Sequence, residues 1–285
     1  MDIKRLAKLV LPKYQKLILE YKVDMKPRYG HGKQPNEFLY QLINENRAVY
    51  EKHAQMMLAL KEVFANIKLS KDETNDNEPA WNNGFFPGLD IVALYTFLKT
   101  YDPANFIEIG SGNSTKVARK AIEDYKLHTK ITSIDPFPRA NIDHLADEVI
   151  RMPLEELDNY AFITNHLAEN DILFIDNSHR VLPNSDVTVC FLELLPQLKP
   201  GVIVHIHDIY LPYDYPQDMC DRFYSEQYML ATLLLSNPKR YQVMFPCYFA
   251  SEDEALASLL EPLWQSENTS KVEKHGGSFW FRVME

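Results

Sequence analysis

From residue 105 to the end of the chain, short apolar runs alternate with segments of helical spacing. The runs NFIEIG, KITSID, DILFID and GVIVHIHDI predict strands, and a helical pattern lies between each one and the next. Strands of a parallel sheet read as continuous apolar runs because helices cover both faces. The pattern therefore predicts an α/β fold with a doubly wound, mostly parallel sheet.

Two later runs, YQVMFPCYF and SFWFRVM, are further strand candidates that suggest a hairpin. Before the sheet, residues 36–68 show helical spacing with Asn36 as a plausible N-cap. The polar stretch 70–84 contains Gly and Pro and predicts a loop. We therefore expect two parts, an N-terminal helical extension or cap over 1–84 and the main domain over 85–285.

The charge distribution narrows the range of partners. The chain of 285 residues has a formal net charge of −10, although residues 1–35 are basic. An acidic body argues against nucleic-acid binding. In the basic segment, five apolar residues fall near one helical face: Ile3, Leu6, Val10, Leu17 and Ile18. Such a helix suits an anionic membrane or a partner, but docking on its own domain is the favoured interpretation.

Two kinds of segment are missing from the sequence. No apolar run approaches the ~18 residues of a membrane span, so we expect no stable membrane insertion. No signal peptide is recognisable, and three widely spaced cysteines suggest no disulfide framework. We expect a soluble, cytoplasmic protein.

The stretch FIEIGSGNSTK reads as a strand, a turn with Gly110 and Gly112, and the start of a helix. Glycines let the backbone turn tightly and come close to a ligand. The third glycine of a dinucleotide-binding loop is replaced by Thr115, and Glu108 would repel a pyrophosphate. A cationic ligand without phosphate, such as S-adenosylmethionine, fits this loop better than NAD does.

Asp135 ends the next strand, in the run SIDPFPR. A carboxylate at the end of the second strand can accept hydrogen bonds from both ribose hydroxyls of a nucleoside. The alternative is a helix cap or turn former. Phe137 follows closely, and two roles remain open for it: covering an adenine ring or packing in the core.

Three motifs, IEIGSGNST, SID and DILFIDNSHR, resemble the first, second and fourth motifs of the class I S-adenosylmethionine-dependent methyltransferases. The resemblance spans about 85–285 and is strongest over 106–208. It implies a Rossmann-like sheet of seven strands whose last strand is antiparallel. The cofactor contacts that we expect are at Glu108, Gly110, Ser111, Gly112, Ser114, Asp135, Pro136 and Asp176.

Acidic and imidazole side chains follow the two later strands. Asp176 and His179 come after DILFID, and His207 and Asp208 end GVIVHIHD, with His205 on the same strand face as His207. Three hypotheses remain open: His179 is a general base for a substrate hydroxyl; Asp176, His207 and Asp208 bind a divalent cation; or the groups only hydrogen-bond one another.

Metal-dependent small-molecule O-methyltransferases, of the catechol and macrocin types, sharpen this comparison. They place an Asp where Asp176 lies and an acidic pair or Asp-Asn where this chain has His207–Asp208, a departure that weakens the case for Mg²⁺ or another divalent cation. The catechol type has a lysine base at the position of His179. An Asn-Pro-Pro-Tyr-like motif of N-methyltransferases is not found.

The resemblance predicts O-methylation of a small molecule or sugar hydroxyl, with His179, Asp208 and His207 as catalytic residues. The segments 81–88 and 209–228 are candidate loops for closing over the ligands. A homo-oligomer through the N-terminal helices is a further expectation. The alternatives are an NAD-linked oxidoreductase and a non-catalytic nucleoside-binding protein.

Overall fold

The computed structural model describes Leu11 and residues 16–285. The predicted helix near the start therefore lies largely outside the described residues. Its last two apolar members, Leu17 and Ile18, are in a non-helical stretch and are exposed. At these two positions the predicted docking of a helix on the domain is wrong.

Seven strands form one sheet in the order β3-β2-β1-β4-β5-β7-β6. The strands are β1 (Asn105–Ile109), β2 (Lys130–Ile134), β3 (Glu148–Ile150), β4 (Ile172–Ile175), β5 (Ile203–Ile206), β6 (Tyr241–Pro246) and β7 (Phe279–Val283). All neighbouring pairs are parallel except those that involve β7, which runs antiparallel to β5 and β6. The predicted α/β, Rossmann-like, seven-stranded fold is confirmed.

Helices cover both faces of this sheet. They are α1 (Glu37–Asn44), α2 (Arg47–Leu58), α3 (Lys61–Asn66), α4 (Gly88–Tyr101), α5 (Asn113–Tyr125), α6 (Ala161–His166), α7 (Asp186–Val189), α8 (Gln217–Cys220), α9 (Glu226–Ser236), α10 (Cys247–Glu252) and α11 (Glu254–Leu260). A π-helical turn, Cys190–Leu194, continues α7. None of these helices is long and apolar enough to span a membrane.

Two connections differ from the sequence pattern. The pairing strands β6 and β7 are not a hairpin, because residues 247–278 lie between them and contain α10 and α11. The long helix expected before β4 is reduced to the 3-10 turn Leu154–Glu156 and α6. The side chain of Asn159 accepts a hydrogen bond from the N–H of Ala161, so the local chain favours a late helix start.

The carboxyl ends of the central strands meet at one edge, and the residue after each strand extends the backbone ladder. The N–H of Gly110 donates to Ile134, that of Asp176 to Ile109, and that of His207 to Ile175, all at 2.8–2.9 Å. These residues are therefore held side by side. The strand order changes direction between β1 and β4, which is where α/β sheets bind ligands.

The N-terminal helices reach the sheet through α2, which packs against β6. Asn36 caps α1 as predicted, since its side chain accepts from the N–H of Leu39. On α2, the buried ring of His53 contacts the carbonyl of Met244 at 3.0 Å and the hydroxyl of Tyr101 at 2.9 Å. These contacts join the N-terminal helices to the sheet. The division of the chain at residue 84 and the predicted homo-oligomer stay predictions.

Burial of His53 makes stability depend on pH. Loss of hydration lowers its pKa to about 4, against an ordinary value near 6.5. Between these values the unfolded chain binds the proton more strongly, so stability falls as the pH decreases from about 6.5 towards 4. The loss should be about 3 kcal/mol from this residue. We expect His53→Gln to reduce the difference between urea unfolding free energies at pH 7 and pH 4.5. An equal difference in both proteins would contradict this account.

Candidate functional site

A cavity of about 310 Å³, here called the β1–β2 cavity, lies beyond the ends of β1 and β2. Its walls include five of the predicted cofactor residues, which are Gly110, Ser111, Asp135, Pro136 and Asp176. Phe137 also lines it and is 86% exposed, so its ring is free to cover a flat ligand.

A second cavity of about 260 Å³, the glycine-loop cavity, lies over the start of α5. Ser111, Gly112 and Ser114 line one side, and Asn83 and Phe86 line the other. The segment 81–88 therefore lies beside this cavity, and its predicted closure over the cofactor stays a prediction.

The third cavity, the histidine cavity, has a volume of about 380 Å³ and contains the predicted catalytic groups. Asp176, His179, His207 and Asp208 lie in its wall. Asp176 and Arg139 line all three cavities, so the three adjoin one another at these two side chains.

Gly110 is the position that brings the glycine loop close to the end of β4. A Cβ atom there would lie 1.7 Å from the carbonyl oxygen of Asp176, and its φ of +81° is in the left-handed region. Both facts require glycine. The next glycine, Gly112, has open space at the position that a Cβ atom would take.

Glu108 faces the start of α5. Its carboxylate is fully buried and accepts hydrogen bonds from the hydroxyls of Ser114 and Thr115. Burial raises its pKa to about 7 in spite of these bonds. The structure thus gives Glu108 a role in holding the start of α5 against β1. Its predicted contact with a cofactor stays a prediction.

Asp135 braces the glycine loop from the other side. One carboxylate oxygen accepts from the N–H of Ser111 at 2.9 Å, and the other accepts from the N–H of Phe137 at 2.7 Å. A carboxylate oxygen can accept more than one bond. Asp135 therefore keeps capacity for a ligand hydroxyl in the β1–β2 cavity.

His179 is surrounded by three carboxylates. Its Nε2 lies 3.3 Å from Asp176 and 3.4 Å from Asp208, and its Nδ1 lies 3.1 Å from Glu226. Burial alone would lower the pKa of His179, but the bonds to Asp176 and Glu226 and the charge of Asp208 outweigh it and raise the pKa to about 10. The ring is mostly protonated at neutral pH.

His207 is held in a similar way from the other side of the site. Its Nε2 lies 3.1 Å from Asp90, and its Nδ1 lies 3.5 Å from Asp176 and 3.6 Å from Asp208. Burial opposes protonation, yet the charges of Asp176 and Asp208 raise the pKa of His207 well above its usual value. His205 instead stacks on Phe174 in the core, at 3.8 Å between ring centres.

The predicted divalent cation finds no support. Within Leu11 and residues 16–285, no group of three or more His, Cys, Asp or Glu side chains is arranged to hold a metal ion. Protonated imidazoles already compensate the carboxylates of Asp176 and Asp208. Burial alone would raise the pKa of Asp176, but the charges and hydrogen bonds of His207 and His179 outweigh burial and lower this pKa below its ordinary range.

Two residues of the site have unusual backbone angles. His179 has a φ of +60° and Asp208 a φ of +55°, in the left-handed region that favours glycine. Such conformations persist only where the surrounding contacts impose them. The ion pairs described above supply those contacts.

Comparison with known proteins identifies the central part of the chain. Residues 107–209 match a family model described as a methyltransferase domain. The matched region runs from β1 to the end of β5 and contains the glycine loop, Asp135, Asp176, His179 and Asp208. Residues 107–209, which match this model, are called the methyltransferase domain below. Such domains take the methyl group from S-adenosylmethionine, so the match implies this methyl donor.

Two individual proteins align with parts of this chain. An uncharacterized protein of Archaeoglobus fulgidus is 34% identical over 97 residues, which are 32% of this chain and 43% of that protein. The match thus spans less than half the length of that relative. A crystal structure of a Thermobifida fusca protein, provisionally named a methyltransferase, aligns at 13% identity with a TM-score of 0.38, covering 88% of this chain and 96% of that one.

The methyltransferase domain gathers nearly all of the predicted site residues at one edge. Eleven positions were predicted, and all but one line the three cavities: Gly110, Ser111, Gly112, Ser114, Asp135, Pro136, Asp176, His179, His207 and Asp208. Glu108 lies behind them. Whether each contacts a ligand stays a prediction.

Three residues of the site were not found from the sequence. Asp90 on α4 and Glu226 on α9 are fully buried acids that hold the two imidazoles, and Arg139 lines all three cavities. Asp90 is an acid inside the apolar run LDIVALYTFL, which is a usable signal. Glu226 resembles an ordinary acid in the first turn of a helix.

Substitution of Gly110 tests the packing of the glycine loop. Gly110→Ala should lower the free energy of unfolding by about 2–4 kcal/mol, because the new methyl overlaps the carbonyl of Asp176 and the positive φ becomes unfavourable. Gly112→Ala is the matched control, since nothing lies within 4 Å of its Cβ position. Chemical denaturation measures both. Equal stability of the two variants would refute the predicted overlap.

Proposed function

We propose that this protein transfers a methyl group from S-adenosylmethionine to a hydroxyl group of a small polar molecule. The observation that carries the proposal is the shared wall at Asp176. This carboxylate faces the two cavities around the glycine loop and also the histidine cavity. A methyl donor in the former and an acceptor in the latter would meet at this side chain.

The residues around the glycine loop fit the methyl donor. The close approach of Gly110 to β4 leaves room for a ligand at the strand ends, and Asp135 presents carboxylate oxygens there. Neither wall contains a cluster of basic residues that would select a pyrophosphate. When bound, S-adenosylmethionine supplies an electrophilic methyl group next to a positive sulfonium, and Asp176 offers negative charge at the junction of the cavities.

The histidine cavity suits a polar acceptor. Beside the His and Asp cluster, its wall contains Tyr210, Asp218, Arg222 and Glu273, which offer both donors and acceptors of hydrogen bonds. Its volume of about 380 Å³ fits a small molecule. These features support a sugar or another hydroxylated compound more than an extended apolar one.

His179 is the proposed proton acceptor. His179 lines the histidine cavity, and its Nε2 lies between Asp176 and Asp208, which line the same cavity. In the neutral form, this nitrogen would take the proton from the acceptor hydroxyl as the oxygen attacks the methyl group. The raised pKa makes the ring a stronger base than free imidazole, but only a small fraction is neutral at pH 7.

Binding of the methyl donor is the first test. S-Adenosylmethionine and S-adenosylhomocysteine should bind with micromolar or better affinity, or about −8 kcal/mol, in titration calorimetry. Asp135→Ala should weaken binding about tenfold or more, because a charge-assisted hydrogen bond contributes ~1.5–3 kcal/mol. Asp158→Ala removes an exposed carboxylate outside the cavities and should leave the affinity unchanged. Tighter binding of NAD than of either compound would contradict the proposal.

The role of His179 predicts a particular pH profile. His179→Ala should lower turnover about 10²–10⁴-fold while S-adenosylhomocysteine affinity stays nearly constant. In the wild type, the rate should rise about tenfold per unit from pH 7 and level off near 10, because only the neutral ring accepts a proton and its pKa is about 10.

These rates are measured as the formation of S-adenosylhomocysteine from S-adenosylmethionine in the presence of each member of a panel of phenols, sugars and hydroxy acids. A profile that levels off near pH 6.5 would contradict the described ion pairs. EDTA should leave the rates unchanged, because imidazoles compensate the carboxylates of Asp176 and Asp208. Loss of activity with EDTA, restored by Mg²⁺, would revive the cation hypothesis.

A further inference from the structure

Glu226 is a buried carboxylate to which the proposed reaction assigns no part. It is fully buried at the start of α9, and its Oε2 lies 3.1 Å from Nδ1 of His179. Its other oxygen, Oε1, is buried and has no hydrogen-bond partner among the described residues. A buried carboxylate is unfavourable without a partner, so this position depends on the imidazole.

The backbone around Glu226 is fastened to the same residue. The N–H groups of Ser225 and Glu226 lie 2.9 and 3.3 Å from the carbonyl oxygen of His179. The hydroxyl of Ser225 accepts from the N–H of Val181 at 2.9 Å. The start of α9 therefore binds both the main chain and the ring of His179.

Stacking and hydrogen bonding together leave the ring little freedom. Tyr224 stacks on His179 with 4.7 Å between ring centres and 29° between the planes. Stacking fixes the plane but not which nitrogen faces the cavity. The contact between Nδ1 and Glu226 settles this, because it leaves Nε2 beside Asp176 and Asp208 at the cavity wall.

We propose that Glu226 is a positioning residue that holds His179 through Nδ1 so that Nε2 faces the methyl acceptor. This inference rests on the role of His179 in the proposed function. Glu226 does not line the histidine cavity, so it acts through the imidazole and not on the substrate. A carboxylate that orients an imidazole in this way also selects the tautomer with its proton on Nδ1.

Proton NMR of the full chain saturated with S-adenosylhomocysteine tests the contact directly. A proton on Nδ1 that is bonded to a carboxylate should give a far-downfield signal. We expect this signal in the wild type and in the control Glu254→Gln, which alters an exposed acid at the start of α11. It should be absent in Glu226→Leu and in His179→Gln. Its survival in a folded Glu226→Leu protein would overturn the proposal.

Glu226→Gln decides the question if the leucine variant does not fold. The amide keeps the shape and one acceptor oxygen, but a neutral carbonyl is a weaker acceptor than a carboxylate. The signal should therefore remain and move upfield. An unmoved signal would show that Glu226 is not the partner of Nδ1.

Turnover separates a positioning role from a merely structural one. With the most reactive acceptor of the panel, Glu226→Leu should lower kcat about 10–100-fold with little change in KM, and Glu226→Gln should recover most of the loss. The double variant with His179→Ala should be no slower than His179→Ala alone, since the first residue acts through the second. Additive losses would overturn the proposal.

Failure of the wild type to bind S-adenosylhomocysteine would instead contradict the proposed function, and NMR of the free protein would still decide the contact.

Discussion

The compensation of carboxylates by two imidazoles is the constraint on which this site depends. Asp90 and Glu226 are fully buried, and Asp176 and Asp208 are partly so, yet His179 and His207 are the cations placed among them. Removing a carboxylate from water is strongly unfavourable unless an opposite charge and hydrogen bonds replace the solvent. The ion pairs join α4, β4, β5 and α9, so the shape of the cavities and the protonation of the rings are set together.

The sequence predicts the edge of the sheet well because the strands are parallel and in register. The residue that follows each strand continues the ladder, and the N–H of Asp176 bonds to Ile109 while that of His207 bonds to Ile175. Counting from the end of each apolar run therefore locates the site without knowledge of any side-chain contact. This counting does not predict that β7 is antiparallel, because the direction of a strand leaves no local pattern in the sequence. That prediction comes from the family resemblance.

The sequence does not predict the side-chain contacts that join residues of different helices and strands. Glu108 is two residues before Gly110, and the alternation of a strand turns its side chain towards the hydroxyls of α5 rather than towards the cavities. Asp90 and Glu226 lie on helices that are distant in sequence from the histidines that they contact. Their effect on His207 and His179 decides whether the rings carry a charge, and no single segment contains that information.

The left-handed backbone of His179 and Asp208 has an evolutionary consequence. A residue with a Cβ in this region is less favourable than glycine by about 1–2 kcal/mol, so the fold gives up stability at two positions where it needs an imidazole and a carboxylate. Glycine at position 179 would relieve the strain but would leave the buried carboxylate of Glu226 without its imidazole, so selection for thermal stability alone is freer to replace Asp208. Descendants that lose the activity should therefore drift first at Asp208, and glycine there would mark a chain that keeps the sheet as a scaffold only.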